Sequence, residues 1–81
     1  MELIPLTKQK QNYLKKYNLV KKFEKQINLL YSNPHHPGLN LEKLEPKELG
    51  LYSFRIDRKY RAVFAVNNGF IKIIALTNHY K

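Results

Sequence analysis

Apolar and polar residues alternate in two distinct rhythms along the 81-residue chain. From Leu19 onward, Val20, Phe23, Ile27, Leu30 and Tyr31 recur at spacings of three and four, with Lys21, Lys22, Glu24, Lys25 and Gln26 between them. That rhythm is one face of a helix. Before it, Lys8 to Tyr17 is strongly polar, with Tyr13, Leu14 and Tyr17 at helical spacing and Thr7 placed to cap. Asn18 reads as a break and a new N-cap. The pattern gives two helices hinged near Asn18, with one bent helix as the alternative. Glu2 to Leu6 reads as a short strand that Pro5 confines to an edge or ends.

The second rhythm has a period of two. Ser32 to Gly38 holds two prolines and a glycine and stops the helix. Leu39, Leu41 and Leu44 then alternate with polar residues as a short strand, and Glu45 to Gly50 forms a second loop. Tyr52, Phe54 and Ile56 alternate with Ser53, Arg55 and Asp57; Tyr60, Ala62, Phe64 and Val66 alternate with Arg61, Val63 and Ala65. Asn68-Gly69 is the preferred centre of a two-residue hairpin turn. It pairs Val66 with Ile71, Phe64 with Ile73 and Ala62 with Ala75.

A three-residue connection over Asp57-Arg58-Lys59 pairs Ile56 with Tyr60 and Arg55 with Arg61. A two-residue turn would set Arg61 beside Ile56 and mix the faces, so the odd length is favoured. One face then carries Tyr52, Phe54, Ile56, Tyr60, Ala62, Phe64, Val66, Ile71 and Ile73. The other carries Ser53, Arg55, Arg61 and Lys72, with Val63, Ala65, Ile74 and Leu76 between. The expected fold is α+β: two helices on one face of a small, mainly antiparallel sheet, and a basic concave face on the other.

Composition sharpens this picture. Fifteen Lys and Arg against six Asp and Glu give a formal net charge of +9, which calls for a polyanionic partner. The length allows a single domain over residues 1–81. With 43% apolar residues the chain can build a core. It has no cysteine, which excludes disulfides and thiolate metal sites and fits a cytoplasmic protein. No long apolar run spans a bilayer, and Met1 to Leu6 is too short for a signal peptide. His35 and His36 lie between prolines, without further ligands spaced for a metal, and read as plain loop.

An arginine on a strand must look outward or meet an anion. Arg61 could hold a phosphate or make a surface salt bridge to Asp57 or Glu48. Glu45 could be a base or a solvated loop carboxylate. His79 titrates near neutrality if unperturbed, so it can give a proton, or it is simply a frayed terminal residue.

Four segments together, Leu44-Glu45-Pro46, Tyr52-Ser53-Phe54-Arg55-Ile56, Lys59-Tyr60-Arg61-Ala62-Val63-Phe64 and His79-Tyr80, resemble the RelE/ParE superfamily of bacterial toxins, and most of all the YoeB-like branch of RelE endoribonucleases. The resemblance implies a type II toxin that cleaves mRNA in the ribosomal A site without metal or other cofactor. A ribose 2′-OH would attack the adjacent phosphate, giving a 2′,3′-cyclic phosphate and a free 5′-OH. By the same resemblance Glu45 corresponds to the base, Arg61 to the phosphate-stabilising cation, His79 to the general acid and Tyr80 to a residue that orients or stacks on the nucleotide. Arg55 supports the phosphate, while Arg58, Lys59 and Lys47 make RNA contacts. Lys8, Lys15 and Lys16 on the first helix meet ribosomal RNA. Glu45 and His79 are expected at the rim of the face that carries Arg55 and Arg61. The implied protein partner is an acidic antitoxin with a flexible segment, and operator DNA is met only through that complex. Two other readings stand beside this one: a ParE-like gyrase inhibitor, and a basic module that binds RNA or a partner without cleaving.

Overall fold

The computed structural model describes residues 2–78. Thr7 accepts from the Lys10 N–H and opens helix α1, Lys8–Lys16. Asn18 sits in the left-handed region at φ +56° and turns the chain, so it is not the cap of the next helix. Asparagine tolerates that conformation where bulkier residues do not. Leu19 occupies the cap position of α2, Val20–Ser32, without a side-chain bond. Two helices, rather than one bent helix, are therefore present.

Strands β1 (Glu2–Leu3), β2 (Glu42–Lys43), β3 (Leu51–Arg55), β4 (Tyr60–Asn67) and β5 (Phe70–Asn78) form one sheet in the order β1-β5-β4-β3-β2. The β1–β5 pair is parallel and the other pairs are antiparallel. β1 stops at Leu3, short of the expected Leu6, although the Ile4 N–H still reaches Ile71 O at 2.8 Å. Pro5 has no N–H to extend the ladder further. The expected strand from Leu39 to Leu44 shrinks to Glu42–Lys43, because a 3₁₀ turn over Pro37–Leu39 drives Leu39 into the core.

Leu14, Leu19, Phe23, Ile27 and Leu30 of the helical layer pack on Phe54, Ile56, Ala62, Phe64, Ile71 and Ile73 of the sheet. Val20 and Tyr31, expected on the buried stripe, are exposed, and Val66 lies beyond the cover of the helices. Tyr31 instead accepts the Leu3 N–H on its hydroxyl at 2.9 Å and ties α2 to β1. Gln26 takes a buried place that the polar pattern concealed.

The three-residue connection forms as expected: Ile56 bonds Tyr60, and Arg55 pairs with Arg61. The second hairpin pairs Val66 with Ile71 and Phe64 with Ile73, also as expected. A bulge then intervenes, and Ala62 pairs with Leu76 rather than Ala75. One extra residue, Ile74, switches the faces of all that follows it. Leu76 therefore packs on the core, correcting its assignment to the opposite face, and Ala75 takes that place beside Val63.

Candidate functional site

The register builds the face away from the helices in rows. One row runs Thr77, Arg61, Arg55; the next runs Ala75, Val63, Ser53, Glu42. Two arginines thus stand side by side across β3 and β4. Like charges directly opposite repel, and the two side chains resolve this differently: Arg55 is exposed, whereas Arg61 is only 5% exposed.

Arg61 lies toward Ser53 and the segment before β2. Its Nε donates to Ser53 Oγ at 3.0 Å, and Nη2 donates to Ser53 Oγ at 2.8 Å, Ser53 O at 3.2 Å and Asn40 O at 2.6 Å. Asn40 presents that carbonyl from the left-handed region, at φ +46°. Every acceptor is neutral. The expected alternative, a salt bridge to Asp57 or Glu48, does not form among the described residues; Asp57 pairs with Lys22 instead, at 3.3 Å. Burial pushes the Arg61 guanidinium below its ordinary range; the Glu42 carboxylate opposes this and Arg55 adds to it. Nη1 makes no hydrogen bond to a described residue. The result is a fixed cation with no directly paired carboxylate and one nitrogen left unbonded among the described residues, an arrangement that suits an anion.

Helix α2 holds this arrangement from behind. Gln26 Nε2 donates to Arg55 O at 2.7 Å and to Gly38 O at 3.0 Å, joining the end of β3 to the turn that leads into Asn40. Asp57 Oδ1 accepts the N–H groups of Lys59 and Tyr60 at 2.9 and 3.1 Å and fixes the β3–β4 connection, where Arg58 and Lys59 are exposed.

The remaining expected residues divide. Glu45 is exposed and precedes a cis peptide bond to Pro46. The Leu44 N–H bonds Leu51 O, so Glu45 leaves the sheet three residues beyond Glu42. That is roughly 10 Å along the strand direction at ~3.3 Å per residue. Glu42, which no sequence motif singles out, is the carboxylate that Arg61 senses, and its pairing with Ser53 puts it on the same face. Lys47 is exposed in a 3₁₀ turn, and Lys8, Lys15 and Lys16 are exposed on α1. His79 and Tyr80 lie outside the described residues. The last described residue, Asn78, pairs with Tyr60, so β5 ends one position past the level of Arg61. His35 and His36 line a shallow cavity of about 350 Å³ with Asn40, and His36 Nδ1 accepts the Gly38 N–H at 2.9 Å.

No family model matches the sequence, and no curated protein does. Solved structures do. A YoeB/ParE toxin from Agrobacterium tumefaciens superposes with a TM-score of 0.74 at 22% identity, covering 99% of this chain and 100% of that one. A chain of the YoeB–YefM complex from Staphylococcus aureus gives 0.71 at 28% identity, over 98% and 94%. YafQ from E. coli strain BL21(DE3) gives 0.72 at 11% identity, over 95% and 89%. The fold is that of the RelE/ParE superfamily of toxins, and the likeness in sequence runs to its YoeB-like branch.

Proposed function

We propose that the chain is the toxin of a type II toxin–antitoxin system and an endoribonuclease that cleaves mRNA on the ribosome. The observation that carries this reading is Arg61: a guanidinium held by four hydrogen bonds to neutral acceptors, beside Arg55, with Nη1 bonded to no described residue. In-line attack by a 2′-OH gathers negative charge on the phosphate oxygens. A cation fixed in advance stabilises that charge without reorganising. The 2′-OH proton goes to a carboxylate, with Glu42 of β2 and Glu45 beyond its end as the two candidates. The leaving 5′ oxygen takes its proton from His79, and Tyr80 orients the nucleotide. The bond formed is 2′-O to phosphorus and the bond broken is phosphorus to 5′-O.

The partner of such a toxin is an acidic antitoxin segment that lays carboxylates on the Arg55–Arg61 row. The S. aureus neighbours include a YoeB–YefM toxin–antitoxin complex, which supports an antitoxin as the partner. The match of Glu45 and His79-Tyr80 to the RNA-cleaving branch, beside the likeness to YoeB of S. aureus, supports RNA over a ParE-like action on gyrase. The test is incubation with programmed ribosomes and mapping of the mRNA ends. Cleavage within the A-site codon, leaving a 2′,3′-cyclic phosphate and a 5′-OH, is expected. Intact mRNA at saturating protein would contradict the proposal.

A further inference from the structure

Tyr13 and Tyr17 of the first helical segment and Tyr60 of β4 form a cluster whose exposed member, Tyr17, neither the fold nor the arginine row explains. Their ring centroids lie 4.8 Å apart for Tyr13–Tyr17, 5.3 Å for Tyr17–Tyr60 and 6.1 Å for Tyr13–Tyr60. These are the separations of mutually packed aromatic rings. Tyr13 and Tyr60 are half-buried and close the end of the core. Tyr17 adds little to that closure: it caps α1, with 40% of its surface open to solvent. Lys16 Nζ stands 5.3 Å from the Tyr17 ring centroid.

The setting is strongly basic. Lys10, Lys15 and Lys16 lie on the same helix, and Arg58 and Lys59 are in the connection that precedes Tyr60. Tyr60 and Arg61 are adjacent in β4, so their side chains leave the same end of the sheet on opposite faces. An exposed ring packed at a tilt against two others, with an ammonium group over it that a base can displace, is a surface on which single-stranded nucleic acid can place a base.

We infer that Tyr17, backed by Tyr60 and Tyr13, is a stacking platform for an unpaired base of the same RNA strand whose phosphate is held by Arg55 and Arg61. The strand crosses the end of the sheet beside the Asp57–Lys59 connection. The arginine row holds a phosphate on one side, and the platform takes the base of a nearby nucleotide on the other. Stacking accepts every base, so the platform sets binding and strand direction rather than sequence. Burial and the two neighbouring phenols push the Tyr13 hydroxyl up. The inference rests on the RNA-cleaving reading, since it concerns the strand that reading places at Arg61.

The probe is a fluorescently labelled hexanucleotide with 2′-O-methyl groups throughout, which cannot be cleaved, together with six versions that each carry one abasic position. One abasic position is expected to weaken binding to the wild-type protein by roughly tenfold, the worth of one stacked base. Tyr17→Ala should weaken binding of the intact hexamer by a similar factor and lose the penalty for that abasic position. Tyr17→Trp should restore both. Tyr17→Leu, which keeps apolar packing without a π face, should not. Thermal melts of the three variants separate loss of fold from loss of stacking.

Wild-type affinity in Tyr17→Ala, an abasic penalty that persists in Tyr17→Ala, or no hexamer binding by the wild-type protein would each overturn the platform. The two readings fail separately. Ribosomal cleavage with no dependence on Tyr17 defeats the platform alone. Tyr17-dependent binding with no cleavage defeats the nuclease and leaves the platform standing.

Discussion

Phe54 and Arg55 are consecutive residues of β3 and look to opposite sides of one sheet. On the helix side, Phe54 is fully buried, with Phe23 and Phe64 at centroid distances of 5.9 and 5.7 Å. That face is closed by apolar contact. On the other side, Arg55 faces solvent, and its cross-strand partner Arg61 is buried among a hydroxyl and two carbonyls. Burying an unpaired charge is costly. A side chain placed there for stability alone would be apolar or matched to a carboxylate. The open face accepts the cost of a cation that no carboxylate pairs directly among the described residues, and this is why the proposed function places the working site there.

Substitution of the two neighbours tests the contrast most severely. Phe54→Ala should cost about 3–5 kcal/mol, since it opens a cavity among packed rings. Arg55→Ala should move stability by no more than about 0.5 kcal/mol, as expected of an exposed residue. Both values come from urea unfolding. A large loss in Arg55→Ala would mean that the open face, too, is built for stability.

A smaller effect is expected at the connection between the two faces. Burial pushes the Asp57 carboxyl up, but the bonds from the Lys59 N–H, the Lys22 ammonium and the Tyr60 N–H outweigh it and hold it below the ordinary carboxylate range. The stabilisation from a depressed folded pKa is present above the unfolded value, near ~3.9, and is lost as pH falls through the folded one. Asp57→Asn should therefore cost about 1–2 kcal/mol at neutral pH. It should also flatten the fall in stability below about pH 4, as read from unfolding curves across that range. An unchanged acid limb would show that Asp57 does not hold the connection.

The sheet was legible in the sequence because period-two alternation and the Asn68-Gly69 turn leave little freedom of register. The same logic paired Arg55 with Arg61 correctly. The bulge at Ile74 was not legible, since an extra residue among Ile73, Ile74, Ala75 and Leu76 leaves no mark in an apolar run. Gln26 was hidden for a related reason: amid Lys21, Lys22, Glu24 and Lys25 it reads as solvated. Its two bonds to Arg55 O and Gly38 O depend on a turn far along the chain.

The burial of Arg61 was the largest departure. Alternation tells which face a side chain takes. It does not tell whether a distant segment folds over that face, and the Asn40 carbonyl arrives from such a segment, the turn from His36 to Asn40. Glu42 carries no motif of its own, unlike Glu45 beside Pro46. The signal that could have found it was its place across from Ser53, in the row next to the arginines.

The central claim is that Arg61 is buried for chemistry and not for stability. Its most direct test is Arg61→Ala, with mRNA cleavage on programmed ribosomes and thermal unfolding measured on the same preparation. Cleavage should fall by about 10²–10³-fold, the usual effect of removing one preorganised charge-stabilising donor, while the protein still unfolds in one cooperative transition well above the assay temperature. Near-normal cleavage, or a loss of cleavage that only follows a loss of folded protein, would contradict the account.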